Sequence, residues 1–190
     1  MAFILLGLFG FLMGVLHDAV SPERAPWGRR LLGLAAGAAL GSSLVLVSLQ
    51  PERLLLPGWS RFMGWALLPV AVFLLAYSLL VELSIKKTYL APGPDSRLVR
   101  TGTYALVRHP GVLWYTLLLI TLVLVTQSRL LAIALPLWVG ADILWVAFQE
   151  RVYLHKHFAE YVHYQRETPM LIPNRRSLSA CLGSLRRARA

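Results

Sequence analysis

Apolar residues fall into five runs along this chain, and polar segments separate one run from the next. The runs cover residues 2–16, 31–49, 64–81, 111–125 and 130–148, and only the last contains a charged residue, Asp142. A helix needs about 20 residues to cross a bilayer, so the first and fourth runs need polar flanks that snorkel to the interface. The pattern predicts an all-α integral membrane protein with about five transmembrane helices.

Composition argues against a soluble domain of this size. Of the 190 residues, 57% are hydrophobic, and the mean hydropathy is +0.60. A soluble core of that extent would have too little polar sequence to cover it. The single cysteine, Cys181, allows no disulfide within the chain, and the sequence has no Cys/His spacing typical of zinc sites.

The basic residues predict the orientation of the helices. With five spans and an external N-terminus, 16 of the 19 Lys and Arg lie in the 17–30 loop, the 82–110 loop and the segment after Phe148. Cytoplasmic loops carry such an excess, so we expect these segments on the cytoplasmic side of a cell inner or plasma membrane. The net charge of +10 indicates attraction to anionic lipid. We expect no nucleic-acid partner, because the charge is split among loops.

Small residues in the first two runs predict close contacts between helices. Glycines recur about one helical turn apart, at Gly7, Gly10 and Gly14 and again at Gly33, Gly37 and Gly41. Both stripes are expected to be packing faces, and they would permit a homodimer.

The polar break at residues 126–129 joins the last two runs and predicts a hairpin of antiparallel helices. The chain would leave one membrane face at His109 and return to it at Glu150. Cations, an imidazole and a carboxylate would then meet at one surface, where we expect the chemistry. We divide the chain into a three-span bundle (1–97), a hairpin with its tail (98–173) and a basic segment (174–190).

The polar tail is predicted to lie along the membrane surface. Apolar and aromatic residues recur at three- and four-residue steps between Gln149 and about Gln165, which favours an amphipathic helix that continues the last span. In the basic segment, Leu178, Leu182 and Leu185 fall on one side, as in a helix at a lipid surface.

The entry to the hairpin carries a specific motif. It reads Leu98-Val99-x-x-Gly102-x-Tyr104-x-x-x-Arg108-His109-Pro110, and it resembles the entry motif of the membrane-embedded isoprenylcysteine carboxyl methyltransferases and phospholipid methyltransferases. Glu150 stands where that family has an acidic pair after the last span. The aromatic and proline spacing of the tail is also similar, through Phe158, Tyr161, Tyr164, Pro169 and Pro173. The resemblance covers residues 98–173.

The resemblance implies S-adenosylmethionine as the methyl donor. It implies a lipophilic or lipid-linked acceptor, with a carboxylate, amine or thiol, that enters from the lipid. The donor site would consist of Leu98, Val99, Gly102, Tyr104, Arg108, His109, Pro110 and Glu150. Glu150 would bind the ammonium of the donor, while His109 or Arg108 would bind its carboxylate or ribose hydroxyls. The sequence has no glycine-rich strand-turn-helix motif of the soluble nucleotide-binding kind, so helix ends and a tail would have to form the site.

Two charged residues outside the motif are candidate catalytic residues. Arg166 would be a cation on the acceptor side. Asp142 is an ionisable group inside a span, which is costly and indicates function by default. The other interpretation of Asp142 is a carboxyl group that is hydrogen-bonded within the bundle, and both interpretations stay open.

Three positions depart from the family pattern. Val112 replaces a tyrosine, Arg151 replaces one carboxylate of the acidic pair, and Ala159 replaces a glycine. These changes argue against assuming a prenylcysteine substrate. Two alternatives stay open: an NADPH-dependent membrane reductase of the sterol-reductase type, which shares a similar entry and tail, and a non-catalytic membrane protein with a degenerate site.

Overall fold

Helices make up the regular structure of the described residues in this computed structural model, apart from one isolated bridge between Arg53 and Ser128. The structure describes residues 1–20, 25–82, 98–155, 158 and 160–187. The helices are α1 (Ala2–Ala19), α2 (Pro26–Ser48), α3 (Trp59–Ala76), α4 (Thr103–Leu106), α5 (Pro110–Thr126), α6 (Arg129–Gln149), α7 (Tyr161–Glu167) and α8 (Arg175–Arg187). π-Helical turns continue α3 through Tyr77–Glu82 and α6 through Glu150–Leu154.

Among the described residues, four helices are long and apolar enough to cross a bilayer. They are Ala2–Ala19, Pro26–Ser48, Trp59–Glu82 and Arg129–Val152, with 18, 23, 24 and 24 residues. Helix α1 is longer than the first apolar run, because it continues through His17 and Asp18. Helix α5 is apolar but has 17 residues, at the short end of the transmembrane range.

Large apolar side chains on these helices are exposed, as helices that face lipid require. Leu34 of α2, Phe73 of α3 and Leu144 of α6 are 71%, 63% and 73% exposed. Soluble proteins rarely expose apolar surface on this scale. The prediction of an all-α integral membrane protein is confirmed.

Two compact units make up the chain. The first consists of Met1–Pro69 with Thr116–Tyr153, and the second of Val70–Tyr115 with Leu154–Ala190. Helices α3 and α5 each contribute to both units. The division by sequence into segments 1–97, 98–173 and 174–190 concerns function and stays a prediction.

In the first unit, α1 packs against α2 and α6, and two of its glycines lie against tryptophan rings of α6 while Gly10 lies against Leu40 of α2. A Cβ atom on Gly7 would overlap the ring of Trp138, and one on Gly14 would lie 2.6 Å from the ring of Trp145. The Trp138 indole donates a hydrogen bond of 3.1 Å to the carbonyl of Ile4. The first glycine stripe is therefore a packing face, as predicted.

The second glycine stripe is mostly open. A Cβ atom on Gly33 would lie 3.1 Å from the ring of His17, but Gly37 and Gly41 have no side chain or distant backbone within 4 Å among the residues that the structure describes. In this part of the chain the stripe is a packing face only at Gly33, because the rest of it points away from α1 and α6. The homodimer that it would permit stays a prediction.

A buried carboxylate joins the end of α1 to the last turns of α6. Asp18 is 7% exposed, and its Oδ2 accepts hydrogen bonds of 2.7 Å from both Trp145 and Gln149. Its Oδ1 lies 3.0 Å from Nδ1 of His17. This cluster fixes α6 immediately before Glu150, the first residue of the π-helical turn.

Two residues, Gln127 and Ser128, join α5 to α6 where the sequence predicts a polar break. Ser128 caps α6, since its Oγ accepts a hydrogen bond of 3.3 Å from the Leu131 amide. The same hydroxyl donates a bond of 2.5 Å to the carbonyl of Val47. The break is thereby anchored to the end of α2.

In the second unit, α4 packs against α8 and against the Tyr77–Glu82 turn. Tyr161 and Tyr164 of α7 are 1% and 2% exposed, and their rings meet edge to face with centroids 5.9 Å apart. The tail is not the single helix that the sequence predicts. Helical residues continue past α6 to His155, Phe158 is not helical, and α7 begins at Tyr161, whose amide donates a hydrogen bond of 3.0 Å to the carbonyl of buried Phe158.

Candidate functional site

The predicted donor-binding strip, residues 98–110, lies in the second unit. Leu98 and Val99 are half-buried and precede a bend at Gly102. Short helix α4 follows, and α5 begins at the fully buried Pro110, where a proline needs no amide partner. Tyr104 is 8% exposed and His109 is 9% exposed. The strip is therefore a buried connection between helix ends.

The bend depends on a glycine at position 102. Gly102 has φ +64° and ψ −133°, a conformation that only glycine adopts without strain. A Cβ atom at this position would also overlap the carboxylate of Glu82. Both the backbone and the neighbouring side chain thus require Gly102, whereas its predicted contact with the donor stays a prediction.

Glu82, which the sequence did not single out, holds the start of α4. Its carboxylate oxygens accept bonds of 2.9 and 3.1 Å from the Thr103 amide and a further bond from the Thr103 hydroxyl. A carboxylate at the start of a helix also interacts favourably with the helix dipole. At the end of an apolar run, such a residue is typical of a membrane boundary, which is why it was missed. The available signal was that the chain has only nine acidic residues.

Helix α8 supports the same bend from another side. The Gly102 amide donates a bond of 2.9 Å to Oγ of Ser184, whose hydroxyl donates one of 2.8 Å to the carbonyl of Cys181. Burial, and then the negative charge of Glu82, raise the pKa of the Cys181 thiol. Cys181 is therefore a protonated packing residue at neutral pH and not a nucleophile.

The strip and the tail are paired through their backbones. The amide of Arg108 donates to the carbonyl of Pro169 at 2.9 Å, and the amide of His109 donates to the carbonyl of Met170 at 3.2 Å. The motif and the tail proline, which were recognised separately in the sequence, thus form one structure.

Side chains reinforce this pairing. Nη1 of Arg108 donates to the carbonyls of Thr168 and Gln165 at 2.6 and 3.2 Å, which satisfies the end of α7. The Tyr164 hydroxyl donates a bond of 2.6 Å to the carbonyl of Tyr104. Arg108 therefore has an architectural role beside its predicted contact with the donor, which stays a prediction.

Trp114 offers a polar group that a ligand could use. Its Nε1 is buried and has no hydrogen-bond partner among the described residues. An unpaired buried donor costs about 1–3 kcal/mol, which a ligand oxygen would recover. Trp114 lies five residues after His109, on the first turns of α5. The indole N–H of Trp114 is therefore a candidate hydrogen-bond donor to an oxygen atom of a ligand.

The remaining predicted site residues are distributed over both units. Asp142 and Glu150 belong to the first unit and are 9% and 7% exposed, on α6 and at the start of the π-helical turn that follows it. Arg166 is exposed in the last turn of α7, in the second unit. Their roles, and the meeting of His109 with Glu150 at one membrane face, stay predictions.

Two of the departures from the family pattern are at described positions. Val112 is 4% exposed, so an apolar side chain fills the place where a tyrosine was expected. Arg151 is exposed, directly after the buried Glu150. Ala159 lies outside the described residues. Trp114, two residues after Val112, supplies a polar aromatic group on the same helix.

The comparisons with known proteins bear on these residues. The family model described as phospholipid methyltransferase matches residues 59–161, more than half of the chain. This range includes the strip, Trp114, Asp142 and Glu150. No curated protein and no solved structure matched the chain.

Proposed function

The chain belongs to the phospholipid methyltransferase family, and we therefore propose that it transfers a methyl group from S-adenosylmethionine to a lipophilic or small amphiphilic acceptor. The observation that carries this proposal is the family match over residues 59–161, because this range contains the buried strip and Glu150. Membrane methyl transfer is the activity of the family, whereas the donor and the acceptor are our inference.

Binding and alignment are the main tasks of the protein in such a reaction. S-adenosylmethionine supplies a methyl group on a sulfonium, which is already a strong electrophile. The chain must hold donor and acceptor in line and exclude water. Glu150 would bind the ammonium group, and His109 and the indole N–H of Trp114 would bind carboxylate or ribose oxygens. Gly102 allows the backbone bend that leads from Leu98 and Val99 into α4.

The family name points to a phospholipid as the acceptor, and an amine headgroup would bring a further requirement. An amine must lose a proton before it attacks, whereas a carboxylate acceptor is already ionised at neutral pH. His109 and Asp142 are the candidates to accept that proton. Arg166 would attract an anionic group of the acceptor.

We propose that the N-terminus is outside and that the strip, α7 and α8 are on the cytoplasmic side of a cell inner or plasma membrane. The distribution of Lys and Arg among the loops supports this orientation. A cytoplasmic strip would receive a water-soluble donor from one side and a lipid acceptor from the membrane.

Calorimetry on the detergent-purified protein tests the proposal, with S-adenosylmethionine and NADPH titrated separately. We expect saturable binding of S-adenosylmethionine, weakened roughly 10- to 100-fold by Glu150→Gln and by His109→Ala, since each removes a polar contact with a charged ligand. Glu52→Gln and His163→Ala are matched controls, because their side chains are 75% and 65% exposed. Both controls should bind like the parent protein.

Two results would contradict the proposal. Binding of NADPH alone would assign the chain to the reductase class. If neither ligand binds to folded protein, the changes at Val112 and Arg151 have disabled the site, and the non-catalytic alternative is correct.

A further inference from the structure

Helix α8 presents three different faces, and one of them is apolar and exposed. Ser177 and Cys181 are 2% and 7% exposed and form the inner face, which packs on α4 together with Ser184. Leu178 and Leu182 are 51% and 52% exposed and lie about 100° further round the helix. No other part of the described chain covers this leucine face.

Two arginines lie beside the leucine face, on the side away from the inner face. Arg175 and Arg186 are exposed and lie roughly 60° beyond the leucines, at the two ends of a helix about 20 Å long. An apolar stripe between cations is the pattern of a helix that lies in the interface of an anionic membrane. Guanidinium groups there reach lipid phosphates while the leucines enter the acyl boundary.

The position of α8 in its unit agrees with a lipid partner. Helix α8 packs on α4, which ends at Leu106, and α5 begins at Pro110. Four residues span at most about 14 Å, so α8 lies near the point where the apolar helix α5 begins. The net charge of +10 adds a general attraction to anionic headgroups.

We propose that α8 docks on an anionic phospholipid surface through Leu178, Leu182, Arg175 and Arg186, and that this docking supports the Gly102 bend. The support passes through the inner face, because the Gly102 amide donates to Ser184 at 2.9 Å. The docking stands independently of the methyltransferase activity. Only its consequence for the donor site rests on the proposed function.

Environment-sensitive probes on the full chain in nanodiscs test the docking. In a Cys181→Ser background, a fluorescent thiol probe is attached at Leu182→Cys or, as a control on the polar face about 100° away, at Gly183→Cys, where a Cβ atom would meet nothing within 4 Å among the described residues. We expect the emission of the Leu182 probe to shift to the blue in phosphatidylcholine with phosphatidylglycerol, but not in phosphatidylcholine alone. High salt should reverse the shift, since it screens the arginines. The Gly183 probe should not change.

Charge variants make the test specific. Removing Arg175 and Arg186 with Arg175→Gln and Arg186→Gln should weaken docking roughly 30-fold, because each basic residue near an anionic surface contributes about fivefold. Arg53→Gln with Arg129→Gln removes the same charge from the α2–α3 connection and the start of α6 and should leave docking unchanged. Thermal unfolding of each variant shows that it is folded.

Hydrogen exchange provides a second readout that needs no activity. Amides 102–106 should exchange more slowly in nanodiscs with phosphatidylglycerol, and Ser184→Ala should abolish this difference while the probe at position 182 still shifts. A Leu182 probe that stays water-exposed in every lipid overturns the docking. A blue shift that does not depend on lipid charge or salt but depends on protein density indicates a second copy on this face. That result also overturns the docking. Equal exchange in both lipids overturns the support of the bend.

Discussion

Glu82 and Gly102 depend on one another at the level of single residues. The carboxylate occupies the space that any side chain at position 102 would need, and it accepts the hydrogen bonds of the next residue, Thr103. The motif is therefore held by a residue outside it. Its geometry should be as sensitive to position 82 as to the motif itself.

We predict that Glu82→Ala loosens the strip. The change leaves the Thr103 amide and hydroxyl without their acceptor, which costs about 2 kcal/mol. Amides 102–106 should then exchange faster with deuterated solvent, and binding of S-adenosylmethionine should weaken. Glu82→Gln should have a smaller effect, because one acceptor oxygen remains.

The matched control for this change is Glu160→Ala. Glu160 pairs with Arg100 but its side chain is 77% exposed, and such pairs contribute at most about 1 kcal/mol. If Glu82→Ala and Glu160→Ala alter exchange at 102–106 equally, Glu82 does not hold α4.

The sequence predicts the residues of the strip better than it predicts what holds them. Gly102, Tyr104 and His109 follow from a local motif. Glu82 is 21 residues from its partner Thr103, and an isolated carboxylate after an apolar run looks like a membrane boundary. Nor could the sequence show that the indole N–H of Trp114 has no partner in the part of the chain that the structure describes, since this depends on the three-dimensional surroundings.

At the level of secondary-structure elements, the glycine stripes of α1 and α2 lie in different surroundings. Gly7 lies against the ring of Trp138, whereas Gly37 has open space around its Cβ direction. Both stripes look alike in the sequence, because spacing shows which residues share a face but not which helix, if any, covers it. The presence of α1, α2, α3 and α6 was predictable from hydropathy, while the length of α1 and the division of the tail before Tyr161 were not.

We predict opposite effects of alanine at the two glycines. Gly7→Ala should destabilise the first unit by about 1–3 kcal/mol, because the Trp138 ring is buried and bonded to Ile4 and cannot withdraw. Gly37→Ala should stabilise α2 by about 0.5–1 kcal/mol through helix propensity. Unfolding titrations in a denaturing detergent measure both changes.

If the free energy of unfolding falls in both variants, or rises in both, this interpretation is wrong. A loss at Gly37 that appears only at high protein concentration would instead show that the open stripe is covered by a second copy of the chain.

The whole molecule is expected to be oriented by its charges, and single cysteines test this orientation. In a Cys181→Ser background, Glu52→Cys in the α2–α3 connection should react with a membrane-impermeant thiol reagent in intact cells. Ser179→Cys in α8 should react only after permeabilisation. The charge distribution provides the physical reason, since cytoplasmic segments retain Lys and Arg.

The cysteine-free parent controls for background labelling in this experiment. The reverse pattern would move the strip and α8 to the external face. A water-soluble donor made in the cytoplasm could then not reach the strip. Both the proposed orientation and the proposed reaction would be wrong.

The hydrogen bond from Gly102 to Ser184 also determines when the bend can form during synthesis of the chain. The two residues are 82 positions apart, and at roughly 5–20 residues per second a ribosome needs about 4–16 seconds to make the chain between them. Helix α6 is complete well before that interval ends, so the membrane bundle forms first. The Gly102 bend gains this bond only when α8 arrives. Each newly made molecule thus has its membrane helices for several seconds before the strip is complete.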